Sequence, residues 1–162
     1  MPASLPPSSD DVRRKTEELL RAGFLAPAPD PAVRVGEPLA VMDPGGAQHS
    51  WFVPLEVGEK LAGFAQLLPS LVALRVSSFQ QRPHDYEHCP DVADWTDVER
   101  IAKRAAAIAK LGEQLSHPVL TFDGNPSRLA WRVDAKSPTG ETRQLFIAGT
   151  ATYESRTGQG LV

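Results

Sequence analysis

Only one cysteine, Cys89, occurs in the 162 residues, so no intramolecular disulfide can form. Secreted domains of this size more often carry an even set, and a reducing compartment is expected. No apolar run approaches the ~18 residues that a membrane helix needs. The start, Met1-Pro2-Ala3-Ser4-Leu5-Pro6-Pro7, has neither the basic opening nor the apolar stretch of an export signal. A soluble, cytoplasmic protein without a membrane partner is the expectation. An excess of charge of either sign is also missing: 17 Lys and Arg face 20 Asp and Glu, a net charge of −3. That balance lacks the basic footprint drawn to nucleic-acid phosphates, so no nucleic-acid partner is expected. Neither a Gly-rich phosphate loop nor a Gly-x-Ser-x-Gly nucleophile elbow occurs. The chain therefore reads as a non-enzyme with no cofactor.

Proline is plentiful, at 15 of 162 residues, nearly double the usual share of roughly 5%. Most of these prolines lie between periodic segments, which makes the connections stiff. Residues 1–9 read as a loose tail and 156–162 as another. Between them the pattern gives a first unit over 10–79, a polar linker over 80–95 and a second unit over 96–155. The first unit opens with a helix from 10 to about 22, capped by Ser9, with Asp10 and Asp11 at the positive end of its dipole. Gly23 and Phe24 form its C-terminal cap, and Pro27, Pro29 and Pro31 prevent continuation. Residues 33–35 and 39–42 read as one strand interrupted near Pro38. A hairpin turning at Gly58-Glu59 follows, then a strand from Leu71 to Phe79 in which Val72, Leu74 and Val76 alternate with polar or small residues.

The second unit opens with Thr96-Asp97-Val98-Glu99, which has the pattern of a capping box with Thr96 as the cap. Val98, Ile101, Ala105, Ile108 and Leu111 then recur at helical spacing, opposite Arg100, Lys103, Arg104 and Lys110. Strands at 119–122, 129–134, 143–148 and 150–153 complete it. Overlaid, the halves match: Trp51-Phe52-Val53 falls on Trp131-Arg132-Val133, and Phe64 is set against Phe146 by a longer second turn. The expected fold is α+β, two units each with a helix on a small curled antiparallel sheet.

The run Pro118-Val119-Leu120-Thr121-Phe122, Ser127 to Val133 and Arg143 to Gly149, following a short amphipathic helix, resembles a PepSY-type unit. Trp51 to Pro54 and Leu61 to Phe79 resemble a second copy. The resemblance implies a cystatin-like fold in each half and a role in inhibiting or regulating peptidases. It carries over no catalytic residue, and it is usually accompanied by an export signal that is not seen here.

His84-x-x-x-His88-Cys89 is the one cluster of soft metal ligands, and it names His84, His88 and Cys89 as candidate metal residues. Pro83 and Pro90 bracket it as a loop, where four-residue spacing does not bring two imidazoles to one face. Trp51 and Trp131 read first as core; as exposed rings they would be anchors for a peptide. Function is accordingly expected to be a non-catalytic binding or regulatory module for an unidentified protein or peptide. The alternative is a small metal-dependent protein using the histidine loop. A homodimer joined across sheet edges is a further possibility for the partner.

Overall fold

A computed structural model describes residues 5–23 and 30–154. It contains helices and two antiparallel sheets, an α+β chain. Contacts divide it into two compact units, Met1–Ala40 with Gln48–Val92 and Val41–Ala47 with Ala93–Val162.

The first unit begins with α1 (Ser9–Arg21). Its cap is Ser8 rather than Ser9: the Ser8 hydroxyl accepts from the Asp11 N–H while the Asp11 carboxylate accepts from the Ser8 N–H. This reciprocal pair satisfies two donors that a helix start leaves open. Gly23 follows the helix at φ 86°, a conformation that costs a residue with a side chain. Phe24, Pro27 and Pro29 lie outside the described residues. Val12 and Leu19 of α1 pack on Val53, Ala65 and Leu67, with Trp51 and Val76 against the same cluster.

Those residues come from strands β1 (Arg34–Val35), β2 (Leu39–Met42), β3 (Gln48–Val57), β4 (Lys60–Leu67) and β5 (Ala73–Ser78). The sheet order is β1-β3-β4-β5, with β2 also paired to β3. The expected single strand around Pro38 is thus two strands on one neighbour. The Gly58-Glu59 turn is as expected, with Val57 opposite Lys60. β5 is shorter than expected. The first half of the expected strand, 71–79, is not half-buried: Val72, which precedes β5, and Leu74 within it are 57% and 44% exposed. A bulge between Gln66 and Leu67 shifts the register there and takes Leu74 out of the alternation.

The second unit holds α2 (Ala93–Thr96), α3 (Val98–Ile108), β6 (Gln114–Leu115), β7 (Val119–Phe122), β8 (Leu129–Lys136), β9 (Thr142–Ala148) and β10 (Ala151–Glu154). The cap of α3 is Asp97, whose carboxylate accepts from the Glu99 and Arg100 N–H groups. Thr96 instead closes the short α2, because Asp97 is the residue in extended conformation. α3 ends at Ile108, so Leu111 leaves the apolar face and is fully exposed. The order β10-β9-β8-β6, with β7 also paired to β8, repeats that of the first sheet.

The repeat is visible in the register. Trp51 lies opposite Leu67, and 80 residues on Trp131 lies opposite Ile147. The expected match of Phe64 with Phe146 does not hold: Phe64 faces Pro54, whereas Phe146 faces Arg132 and takes the place that Gln66 has in the first sheet. A bulge at Leu55/Glu56 shortens the first hairpin to a two-residue turn, while residues 137–141 connect Lys136 to Thr142 in the second. Each tryptophan is nonetheless sixteen residues from its cross-strand partner, so the second hairpin is no longer overall and the two phenylalanines, 13 and 15 residues beyond their tryptophans, stand two positions apart.

Candidate functional site

The histidine loop is organised by a residue far away in sequence. His84 Nδ1 lies 2.8 Å from Asp30 Oδ2, and the Tyr86 hydroxyl donates to the same oxygen. The Ala32 N–H donates to Asp30 Oδ1 at 2.9 Å. The Tyr86 hydroxyl, then His84 and the Ala32 amide, hold the Asp30 carboxyl down to about 2. Burial, then the Asp30 carboxylate itself, pushes the Tyr86 phenol up to about 12. The Nδ1 edge of the His84 ring is thus turned to the Asp30 carboxylate, on a side chain that is mostly exposed. His84 is at φ 62°, unusual for a residue with a side chain, and its N–H donates to Gln80 Oε1.

His88 and Cys89 do not join this arrangement. Cys89 is buried, its N–H donates to the Tyr86 carbonyl, and burial pushes its thiol up, away from the thiolate that binds metal. His88 is exposed. Among the described residues no group of three or more His, Cys, Asp or Glu side chains is placed to hold a metal ion. His84 instead takes part in an Asp-His-Tyr cluster, and Asp30 had no sequence signal because 54 residues separate it from His84. The end of the loop is fixed separately. Lys60 Nζ bonds Asp91 at 3.0 Å, the Leu61 N–H donates to the Pro90 carbonyl and the Val92 N–H to the Glu59 carbonyl.

Neither candidate tryptophan is an exposed anchor. Trp131 is 5% exposed and its indole N–H donates to the Trp95 carbonyl at 2.9 Å, which satisfies the polar edge of a buried ring. Trp51 is half-buried against the α1 cluster.

Sheet margins are more open. β5 ends the first sheet and β10 the second, each paired on one side among the described residues. Phe79 N–H donates to the Ala62 carbonyl, so by antiparallel alternation the backbone groups of Val76 and Ser78 point away from β4. Val72 and Leu74 lie uncovered beside this edge. All four residues of β10 are exposed, with Tyr153 stacked on Phe146 at 5.5 Å.

In the second unit, ionic contacts surround α3. Asp94 is buried and accepts from Arg104 at 2.6 Å and Arg100 at 3.1 Å. Burial raises its carboxyl, but the two guanidinium bonds outweigh that and hold it below the usual range. Arg104 also donates to the Gly149 carbonyl at 2.5 Å. Arg143 grips both Glu113 oxygens, at 2.8 and 2.9 Å, and donates to the Ile108 carbonyl at 2.9 Å. Arg143, then the Lys110 amide, brings the Glu113 carboxyl down to about 2. These two residues line an open cavity of about 260 Å³ with Lys110, Leu111, Ser137 and Thr142. Arg143 is already occupied by protein groups, which suits it to closing the α3 end rather than to receiving a ligand.

No family model matches the chain, and no curated protein or solved structure does. No helix among the described residues is long and apolar enough to cross a membrane.

Proposed function

We propose that the protein is a non-catalytic binding or regulatory module that engages a protein or peptide, with cystatin-like halves and, by its PepSY-like sequence pattern, a peptidase among the candidate partners. The observation that carries this reading is the margin of β5: outward backbone groups at Val76 and Ser78 beside exposed Val72 and Leu74. An extended segment can add to such an edge through main-chain hydrogen bonds, with apolar side chains supplying selectivity. Isolated exposed apolar residues are ordinary; two of them next to an unpaired ladder form a strip.

Capture of a stoichiometric partner by the tagged full chain, compared with Leu74→Lys, tests the reading. A charge on an edge strand opposes strand addition and, at a half-exposed position, leaves the fold intact. Loss of the partner in that variant is expected; its undiminished recovery overturns the assignment to β5. Trp51→Ala is a poor substitute, because it removes core packing along with any binding role.

A further inference from the structure

The connection from β4 to β5 holds one residue in a bulge that its loop could take up. The Leu71 N–H donates to the Leu68 carbonyl and the Leu68 N–H to the Val72 carbonyl, each at 2.8 Å, which leaves Pro69-Ser70-Leu71 as a three-residue loop. Pro69 suits the second place of a β-turn over 68–71. The last residue of such a loop is ordinarily left-handed and ordinarily Gly. Here it is Leu71, at φ 69°, where a side chain crowds the following carbonyl. Further along, Gln66 is opposite Arg75 but Leu67 is opposite Ala73, so Leu74 is the extra residue of the bulge. A loop longer by one residue would absorb it. Ala73 would then face Leu68 and Leu74 would face Leu67, while Arg75, Val76, Ser77 and Ser78 kept their present partners. Four-residue hairpin loops are common.

Leu71 and Leu74 are rivals for one place. Leu71 packs against the cluster of Val12, Leu19, Val53, Ala65 and Leu67 that α1 covers. Directly opposed residues of an antiparallel pair share a face, and Val76, opposite Ala65, packs against the same cluster. A Leu74 set opposite Leu67 would stand on that face too, two positions from Val76. In the bulged register it is left 44% exposed instead. We propose that β5 is a two-register switch. In one register Leu71 fills the cluster and Leu74 lies outside beside the open margin; in the other Leu74 fills the cluster and Leu71 moves out into a longer loop. Backbone strain at Leu71 narrows the gap between them. The inference rests on the reading of β5 as the binding margin and gives that margin a means of regulation: an extended partner that contacts Leu74 selects the bulged register, and the regular register withdraws that side chain from reach.

Relaxation-dispersion NMR on the isotope-labelled full chain, with no partner added, tests the switch. Microsecond-to-millisecond exchange is expected at the amides of 66–75 and not along β3. Leu74→Lys should abolish it, because an ammonium group is not accommodated in the apolar cluster. Leu71→Ala keeps a side chain at the left-handed position but vacates the place in the cluster. It should raise the population of the regular register about five- to thirtyfold. The signature is an Hα–Hα contact between Leu67 and Leu74, which would form a close, non-hydrogen-bonded pair of the regular ladder. A flat dispersion profile in the unaltered chain, together with no such contact in Leu71→Ala, overturns the proposal. So does exchange that persists in Leu74→Lys. If the switch is absent while partner capture still depends on Leu74, this inference fails and the β5 reading stands. If the registers exchange while capture is indifferent to Leu74, the switch stands and the β5 reading fails.

Discussion

In the first unit the helix meets its sheet through apolar groups: Val12 and Leu19 rest on Val53, Ala65 and Leu67, and the ion pairs of α1 lie on its surface. In the second unit Ile101 and Ala105 are buried in the same way, but polar pins are added around α3. Trp131 bonds the Trp95 carbonyl, Arg104 bonds Asp94 and the Gly149 carbonyl, and Arg143 bonds Glu113 and the Ile108 carbonyl. Burial of a small apolar stripe is non-directional. Hydrogen bonds to specific carbonyls are directional and fix where the helix starts and stops. One strand order therefore supports two ways of seating a helix.

The largest break in this comparison is expected from Trp131→Ala. Removing a buried tryptophan costs about 3–5 kcal/mol, and here it also removes the indole hydrogen bond to the Trp95 carbonyl. Hydrogen exchange should show the loss at the amides of β8 and β9. Trp51→Ala, at a half-buried ring, should cost less, and equal losses would mean that the repeat positions are energetically equivalent. Next is Asp94→Asn, which removes the charge that holds Arg100 and Arg104. A cost of about 2 kcal/mol is expected, read as a lower denaturant midpoint for the second unit. Gly149 stands at φ 61°, and an added Cβ would lie 3.2 Å from Trp95 Nε1, so Gly149→Ala should cost about 1–2 kcal/mol. Gly58→Ala, at φ 58° with open space around it, should cost less, which separates crowding from backbone strain.

The smallest effects concern acid. Asp30 in the first unit and Glu113 in the second are each depressed to about 2, from 3.8 and 4.5. A depressed carboxyl stabilises the fold above its ordinary value and loses that contribution as pH falls toward the folded one. Both units should therefore weaken between roughly pH 4 and pH 2. Asp30→Asn should flatten that dependence only in the first unit and Glu113→Gln only in the second, as followed by circular dichroism and unit-resolved exchange. A variant that flattens both would show the units to unfold together.

Much of the local structure was legible in the residues themselves. The acids at the start of α1, the Gly58-Glu59 turn, the alternating strands and the tryptophan repeat depend on neighbours a few positions apart. Where expectation and structure parted, a contact from elsewhere decided. The bulge at Gln66/Leu67 uncovered Leu74, and the equal span of the two hairpins, which strand pairing sets, put Phe64 and Phe146 at different places in the repeat. Asp97, not Thr96, took the cap because a short preceding helix ends on Thr96. The candidate site divided in the same way. His84 was marked by its loop, but its partner Asp30 was not, and the spacing that grouped His88 and Cys89 with it carried no geometry.

The sequence by itself determined which segments are helical or extended, that the chain doubles one αβ pattern, and that its charge is nearly balanced. Periodicity and turn chemistry act over a few residues, so they can be read without the fold. Only the tertiary structure decided which carboxylate meets His84, that Trp131 is enclosed while Trp51 is half-buried, and which guanidinium groups Asp94 and Glu113 hold. Each of those outcomes depends on distances between residues far apart in the chain, which strand pairing and packing set and local spacing does not.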